Sequence, residues 1–123
     1  MNTAHAELAA TFLQALEAAA KTGARDHLYS FLAADVEWVT PQRVLLGIEA
    51  VRTEHTWGNP SEQLDVDFEG ADWVELADGR IGSDVRQVYR MRRTGEFAYR
   101  RTRRIELTVR DGKISRYELR SAP

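Results

Sequence analysis

The sequence predicts an α+β domain in which a curved antiparallel sheet with a mixed edge wraps, cone-like, around three helices from the N-terminal half. Three observations predict it. Helical periodicity dominates the first half, and long apolar/polar alternation dominates the second. Three hairpin signals, Asp78-Gly79, Arg93-Thr94-Gly95 and Asp111-Gly112, then cut the second half into four strands of about eight to fourteen residues. Helices followed by strands is the α+β order, and strands of that length must twist and curl. The 123 residues suit one domain spanning 1–123, and 43% hydrophobic with 29% charged residues suits a packed core rather than disorder.

Asn2 or Thr3 caps a first helix whose inward stripe is Leu8, Phe12, Leu16 and Ala19, with Lys21 in the last turn and Gly23 ending it. A second, shorter helix fits Arg25 to Ala33, where Leu28, Phe31 and Leu32 share a face. Val36-Glu37-Trp38-Val39 then reads as a strand stopped by Pro41. Gly47 opens a third helix with Ile48 and Val51 as apolar contacts and His55 one turn on, stopped by Gly58-Asn59-Pro60.

The hairpins imply registers. A two-residue turn at Asp78-Gly79 pairs Leu76 with Ile81, Val74 with Ser83, Asp72 with Val85, Gly70 with Gln87, Phe68 with Tyr89 and Val66 with Met91. A three-residue loop ending in Gly95 pairs Met91 with Phe97, Tyr89 with Tyr99, Gln87 with Arg101, Val85 with Arg103, Ser83 with Ile105 and Ile81 with Leu107. The last hairpin starts with Val109 opposite Ile114. A strict register there would point Arg116 and Glu118 inward, so a bulge is expected near Ser115 that turns Tyr117 and Leu119 in. Asp84, Arg86, Arg90, Arg92, Arg100, Arg104 and Glu106 fall on the other face as rows of mixed sign, a solvated or dimer-facing surface.

These registers place Asp72, Gln87, Arg101 and Arg103 in the middle of an otherwise apolar inner face. An unpaired polar group there costs about 2 kcal/mol or more, so these side chains need partners or a hydrated cavity. In an open cavity the two arginines and Gln87 hold a carboxylate, enolate or other anionic oxygen, with Tyr89, Tyr99, Tyr117 and Trp38 lining the walls. Asp72 is then the only carboxylate placed to act as a general base, and its two arginine neighbours make it a weak one. The plain alternative is that Asp72 forms an internal ion pair with Arg101 or Arg103, or that Gly70 forms a bulge and turns Asp72 to solvent.

Other chemistries are disfavoured. Seventeen basic and nineteen acidic residues nearly cancel, so no broad positive field invites nucleic acid. There is no cysteine, and the three histidines lack ligand spacing, so no metal and no cofactor are expected. Ser83 has no evident base, and neither a nucleophile elbow nor a glycine-rich phosphate loop occurs. No segment is apolar enough to span a bilayer, and the alanine-rich start does not read as a signal peptide, so a cytoplasmic setting is the default.

The element order, the Gly47-Ile48-Glu49-Ala50-Val51-Arg52 helix start and the long meander ending Arg110-Asp111-Gly112-Lys113-Ile114 resemble the nuclear transport factor two-like superfamily, with SnoaL-like proteins most similar. The resemblance covers nearly the whole chain and is specific for fold rather than activity. It implies an internal pocket and, for some members, cofactor-independent isomerase or lyase chemistry. Positions similar to the acid and base of ketosteroid isomerase-like members hold Leu16 and Trp38, and those similar to the charged relay of limonene epoxide hydrolase-like members hold Val85, Gln87 and Leu119. The expectation is therefore a small-molecule-binding domain. An isomerase or lyase using Asp72, or a non-catalytic dimerisation module, is the alternative. A homodimer through the outer sheet face is expected in each case.

Overall fold

Twenty residues at the start, Thr3–Thr22, form α1 in the computed structural model, which describes residues 3–54, 63–77 and 79–121. The expected Asn2 cap, His55, Trp57, the Gly58-Asn59-Pro60 stop and Asp78 lie outside the described residues. The helix buries Phe12, Leu16 and Ala19 of the expected stripe, joined by Ala9, Leu13 and Ala15, while Leu8 is partly buried. It ends at Gly23, whose N–H donates to Ala19 O at 2.9 Å.

The second helix is shorter than expected. It spans Asp26–Tyr29 as α2, and the chain enters strand β1, Leu32–Val39, at once. Long-range pairing sets this limit: Phe31 O accepts from Ile114 N at 2.8 Å and Leu32 pairs with Ile114, so those residues belong to the sheet. A tight turn in which Thr40 N–H donates to Arg43 O leads to a short strand not anticipated from sequence, β2, Val44–Leu46. α3 follows as Ile48–Glu54, burying Val51.

The remaining strands are β3 (Leu64–Glu69), β4 (Val74–Glu75), β5 (Arg80–Met91), β6 (Phe97–Arg110) and β7 (Lys113–Ser121). They form one curved, unclosed sheet in the order β2-β1-β7-β6-β5-β3, with β4 also pairing β5. All pairs are antiparallel except β1 with β7, which supplies the mixed character of the edge.

Two expected registers hold. Ile81↔Leu107, Ser83↔Ile105, Val85↔Arg103, Gln87↔Arg101 and Tyr89↔Tyr99 pair as expected. Beyond Tyr89 the ladder slips by one, so Phe97 meets Arg90 rather than Met91 as the loop closes through Gly95 N–H to Met91 O. Val109↔Ile114 is followed by Thr108↔Arg116 and Leu107↔Tyr117, which leaves Ser115 as the bulged residue, its hydroxyl donating to Thr108 O at 3.2 Å. Tyr117 is buried as a result, and Leu119 is partly buried.

The register expected across Asp78-Gly79 does not hold. The predicted single strand is two, with Phe68↔Gln87 and Val66↔Tyr89 in β3 but Val74↔Gly82 and Glu75↔Ile81 in β4. Between them Gly70 sits at φ +71°, a left-handed conformation that a side chain would strain. The break shifts the phase of alternation by one residue. Trp73 therefore turns inward and is buried, whereas Asp72, expected inside opposite Val85, is exposed.

α1 covers the inner face. Phe12 meets Trp38 of β1 and Tyr117 of β7 edge-on, with ring centroids 6.5 and 5.9 Å away, while Trp38 and Tyr117 stack at 4.0 Å. Glu17 Oε2 accepts from Phe68 N–H at 2.6 Å, and Lys21 Nζ donates to Asp67 Oδ1 at 2.5 Å, fastening the helix to β3. On the outer face Glu106 is only 8% exposed, because Arg80, Arg104 and Arg120 all donate to it. Together with Asp84 and Ser121, Arg104, Glu106 and Arg120 line a groove of about 390 Å³. Gly82 makes room for this arrangement: a Cβ there would lie 2.7 Å from the Arg104 guanidinium and 3.1 Å from Leu76. Beyond the Arg103↔Ser121 pair, β6 runs on from Thr102 back to Phe97 with only β5 beside it among the described residues.

Phe12 is fully buried against three rings, so Phe12→Ala is expected to destabilise the fold by about 3–5 kcal/mol, and Phe12→Leu by clearly less. Urea unfolding followed by far-ultraviolet circular dichroism checks both values.

Candidate functional site

Alternation along β5 and β6 carries the inner face from apolar to polar in two steps. At one end Ile81, Leu107 and Ile105 are fully buried beside Tyr117 and Trp38, and Phe12 fills the space above them. Two residues further along β6 comes Arg103, partly buried. Two further still lies Arg101, exposed, and then Tyr99 at 44% exposure. The first end is a packed floor and the second an open rim.

At the rim Gln87, Tyr89 and Arg101 form a closed set of hydrogen bonds. Arg101 donates from Nε to Gln87 Oε1 at 2.9 Å and from its terminal nitrogen to the Tyr89 hydroxyl at 2.9 Å. Tyr89 in turn donates to Gln87 Oε1 at 3.3 Å. Tyr99 stacks on Tyr89 with centroids 4.5 Å apart, and the Arg101 guanidinium lies 5.4 Å from the Tyr89 ring centre. Gln87 and Tyr89 are buried, so the neutral half of this cluster is fixed and presents Arg101 at its exposed edge.

Arg103 differs. Its Nε is buried and has no hydrogen-bond partner. Burial lowers its pKa from the ordinary guanidinium value, and repulsion from Arg101 acts in the same direction. Among the described residues neither Arg101 nor Arg103 is in an ion pair, and nor is Asp72. Asp72 takes no part in the cluster: its backbone N–H donates to Ser83 Oγ at 2.7 Å while the residue itself is exposed. The structure thus brings together Gln87, Tyr89, Tyr99 and Arg101, sets Arg103 beside them, joins Tyr117 to Trp38 in the floor, and leaves Asp72 outside.

One residue was not singled out as polar by the sequence. Trp73 is buried in the same core cluster as Val85 and Ile105, and its indole N–H has no acceptor. The signal for it was available, since the unbroken register would have exposed a whole indole and buried a carboxylate. Among the described residues no three histidine, aspartate or glutamate side chains come together as metal ligands. No helix among them is long and apolar enough to cross a membrane.

Burial raises the Tyr117 phenol well above its ordinary value of 10.0. The folded chain then keeps a proton that the unfolded chain loses, so this group makes stability fall as pH rises above about 10 and adds no slope below it. Lys21, whose pKa is raised chiefly by its hydrogen bond to Asp67, acts in the same alkaline direction. The loss of stability between about pH 9 and pH 11 is expected to be shallower in Tyr117→Phe than in the unaltered chain, as read from urea midpoints.

Comparison with known proteins gives likeness of fold. No family model matches the chain and no curated protein matches it. Among solved structures, an NTF2-like protein from Anabaena variabilis superposes with a TM-score of 0.72 at 16% identity, over 100% of this chain and 92% of the other. A Bacillus subtilis protein provisionally named as an isomerase gives 0.71 at 19% identity, over 100% and 91%. TerC co-crystallised with polyporic acid gives 0.65 at 19% identity, over 91% and 89%. With its helix-covered, unclosed sheet and these superpositions over nearly its full length, the chain has the nuclear transport factor two-like fold.

Proposed function

We propose that this chain is a small-molecule-binding domain whose inner face takes a partly apolar ligand bearing a carbonyl or anionic group. The observation that carries the reading is the pair Arg101 and Arg103, two residues apart on one face and without a carboxylate between them, the Nε of Arg103 being buried and unsatisfied. A buried donor on a cation costs more than the roughly 1–3 kcal/mol of a neutral orphan, and an anionic oxygen is the group that relieves it best. Gln87, Tyr89 and Tyr99 form the side wall in this reading, with Trp38 and Tyr117 beneath. TerC, which superposes on this chain, was co-crystallised with polyporic acid, and that pairing supports the reading.

Catalysis is not part of the proposal. Isomerase or lyase chemistry requires a base at the ligand, and Asp72, the carboxylate nominated for that role, lies outside the cluster. The dimerisation reading, in which the inner polar residues close on each other as a salt bridge, loses support because these arginines have no such partner among the described residues.

Thermal-shift screening of small organic acids tests the proposal. A ligand at one hundred times its Kd stabilises the folded chain by about 2.7 kcal/mol, a readily measured rise in Tm. Arg103→Gln is expected to abolish that rise while leaving the unliganded Tm equal or higher, because the orphaned cation is gone. No rise with any acid tested, or an unchanged rise in Arg103→Gln, would sink the proposal.

A further inference from the structure

Among the described residues, Arg103 Nε and Trp73 Nε1 are buried donors of the inner face without a hydrogen-bond acceptor. They flank β5 on one face, Trp73 from the β4 side and Arg103 from the β6 side. The Val74↔Gly82 pair sets Trp73 beside Ser83, while Val85, two residues on along β5, pairs with Arg103. The two residues therefore lie one row apart on one face with Val85 between their strands, and Trp73, Val85 and Ile105 share a core cluster. Arg101 is placed otherwise, since its Nε and a terminal nitrogen already serve Gln87 and Tyr89.

Resting on the ligand-binding reading above, we infer that the ligand is a carboxylate whose two oxygens are taken by Arg103 Nε–H and the Trp73 indole N–H, with its apolar body directed toward the rim. Two separate donors, one cationic and one neutral, match the two acceptor oxygens of a carboxylate. A ketone or amide oxygen can accept from both donors but brings no negative charge to answer the guanidinium. The orientation follows from packing. Phe12, Trp38 and Tyr117 fill the floor, so an apolar body has no room beneath the donors. Toward the rim it meets the stacked Tyr89 and Tyr99. Arg101 becomes a wall of the entrance rather than the anchor.

The test pairs each acid in a panel of aromatic and medium-chain aliphatic carboxylates with its primary amide. Titration calorimetry supplies affinities, and the indole N–H resonances of the ¹⁵N-labelled chain, assigned through bonds, are followed in parallel. Acids are expected to bind at least about tenfold more tightly than their amides, and Trp73→Phe to weaken the acids by about tenfold while weakening the amides less. The Trp73 indole proton should move downfield with the acid, an outcome that needs no variant to fold. Acid and amide of equal affinity, or a Trp73 resonance that stays in place at saturation, overturns the carboxylate assignment and leaves the ligand-binding reading standing. Failure of every pair to bind the unaltered chain overturns both.

Discussion

Backbone pairing between β5 and β6 holds one register from Arg80↔Thr108 to Tyr89↔Tyr99, and because side chains alternate with period two, that register decides which residues share the inner face. Ile81, Ser83, Val85, Gln87 and Tyr89 from one strand then meet Leu107, Ile105, Arg103, Arg101 and Tyr99 from the other. A slip of one residue would exchange this set for Gly82, Asp84, Arg86 and Val88 opposite Glu106, Arg104, Thr102 and Arg100. No helix could pack against that second set. The β6–β7 register completes the floor, setting Tyr117 beside Leu107 where Phe12 meets its ring.

The inner face divides its polar groups by the way each is satisfied. Gln87, Tyr89 and Arg101 satisfy one another, so they stiffen the rim at little energetic cost. Arg103 and Trp73 do not, and each keeps a buried donor without a protein acceptor. The contrast with the outer face is instructive. There Glu106 is buried but has three arginines around it, and Gly82 has no side chain to obstruct one of them. The same chain thus satisfies a buried charge fully on one side of the sheet and leaves a buried cationic donor open on the other.

Much of this was legible in the sequence, for identifiable reasons. The β5–β6 pairing followed from Arg93-Thr94-Gly95 and from alternation over a dozen residues, and the Ser115 bulge from the cost of burying Arg116 and Glu118. What could not be read were places where a distant partner overrules local preference. Phe31 and Leu32 have helical spacing but are drawn into the sheet by Ile114, and Val44–Leu46 is too short to signal a strand without Trp38 and Val39 beside it. At Gly70 the sequence offered both phases, and the structure takes the alternative in which a break there turns Asp72 to solvent. The burial of the Trp73 indole against the exposure of the Asp72 carboxylate decided between them, and with them the membership of the site.

The overhang of β6 past the end of β7 has a consequence for how copies of this protein behave in concentrated solution. From Phe97 to Thr102 the strand has β5 on one side and, among the described residues, nothing on the other, with Phe97 and Tyr99 exposed along it. Such an edge is a template for sticking to a second molecule. Arg100 and Arg101 point to opposite faces of that stretch, so two overhangs approaching edge to edge bring like charges together from either side. Those two charges oppose edge pairing at this stretch, and less so as added salt shortens the distance over which repulsion is felt.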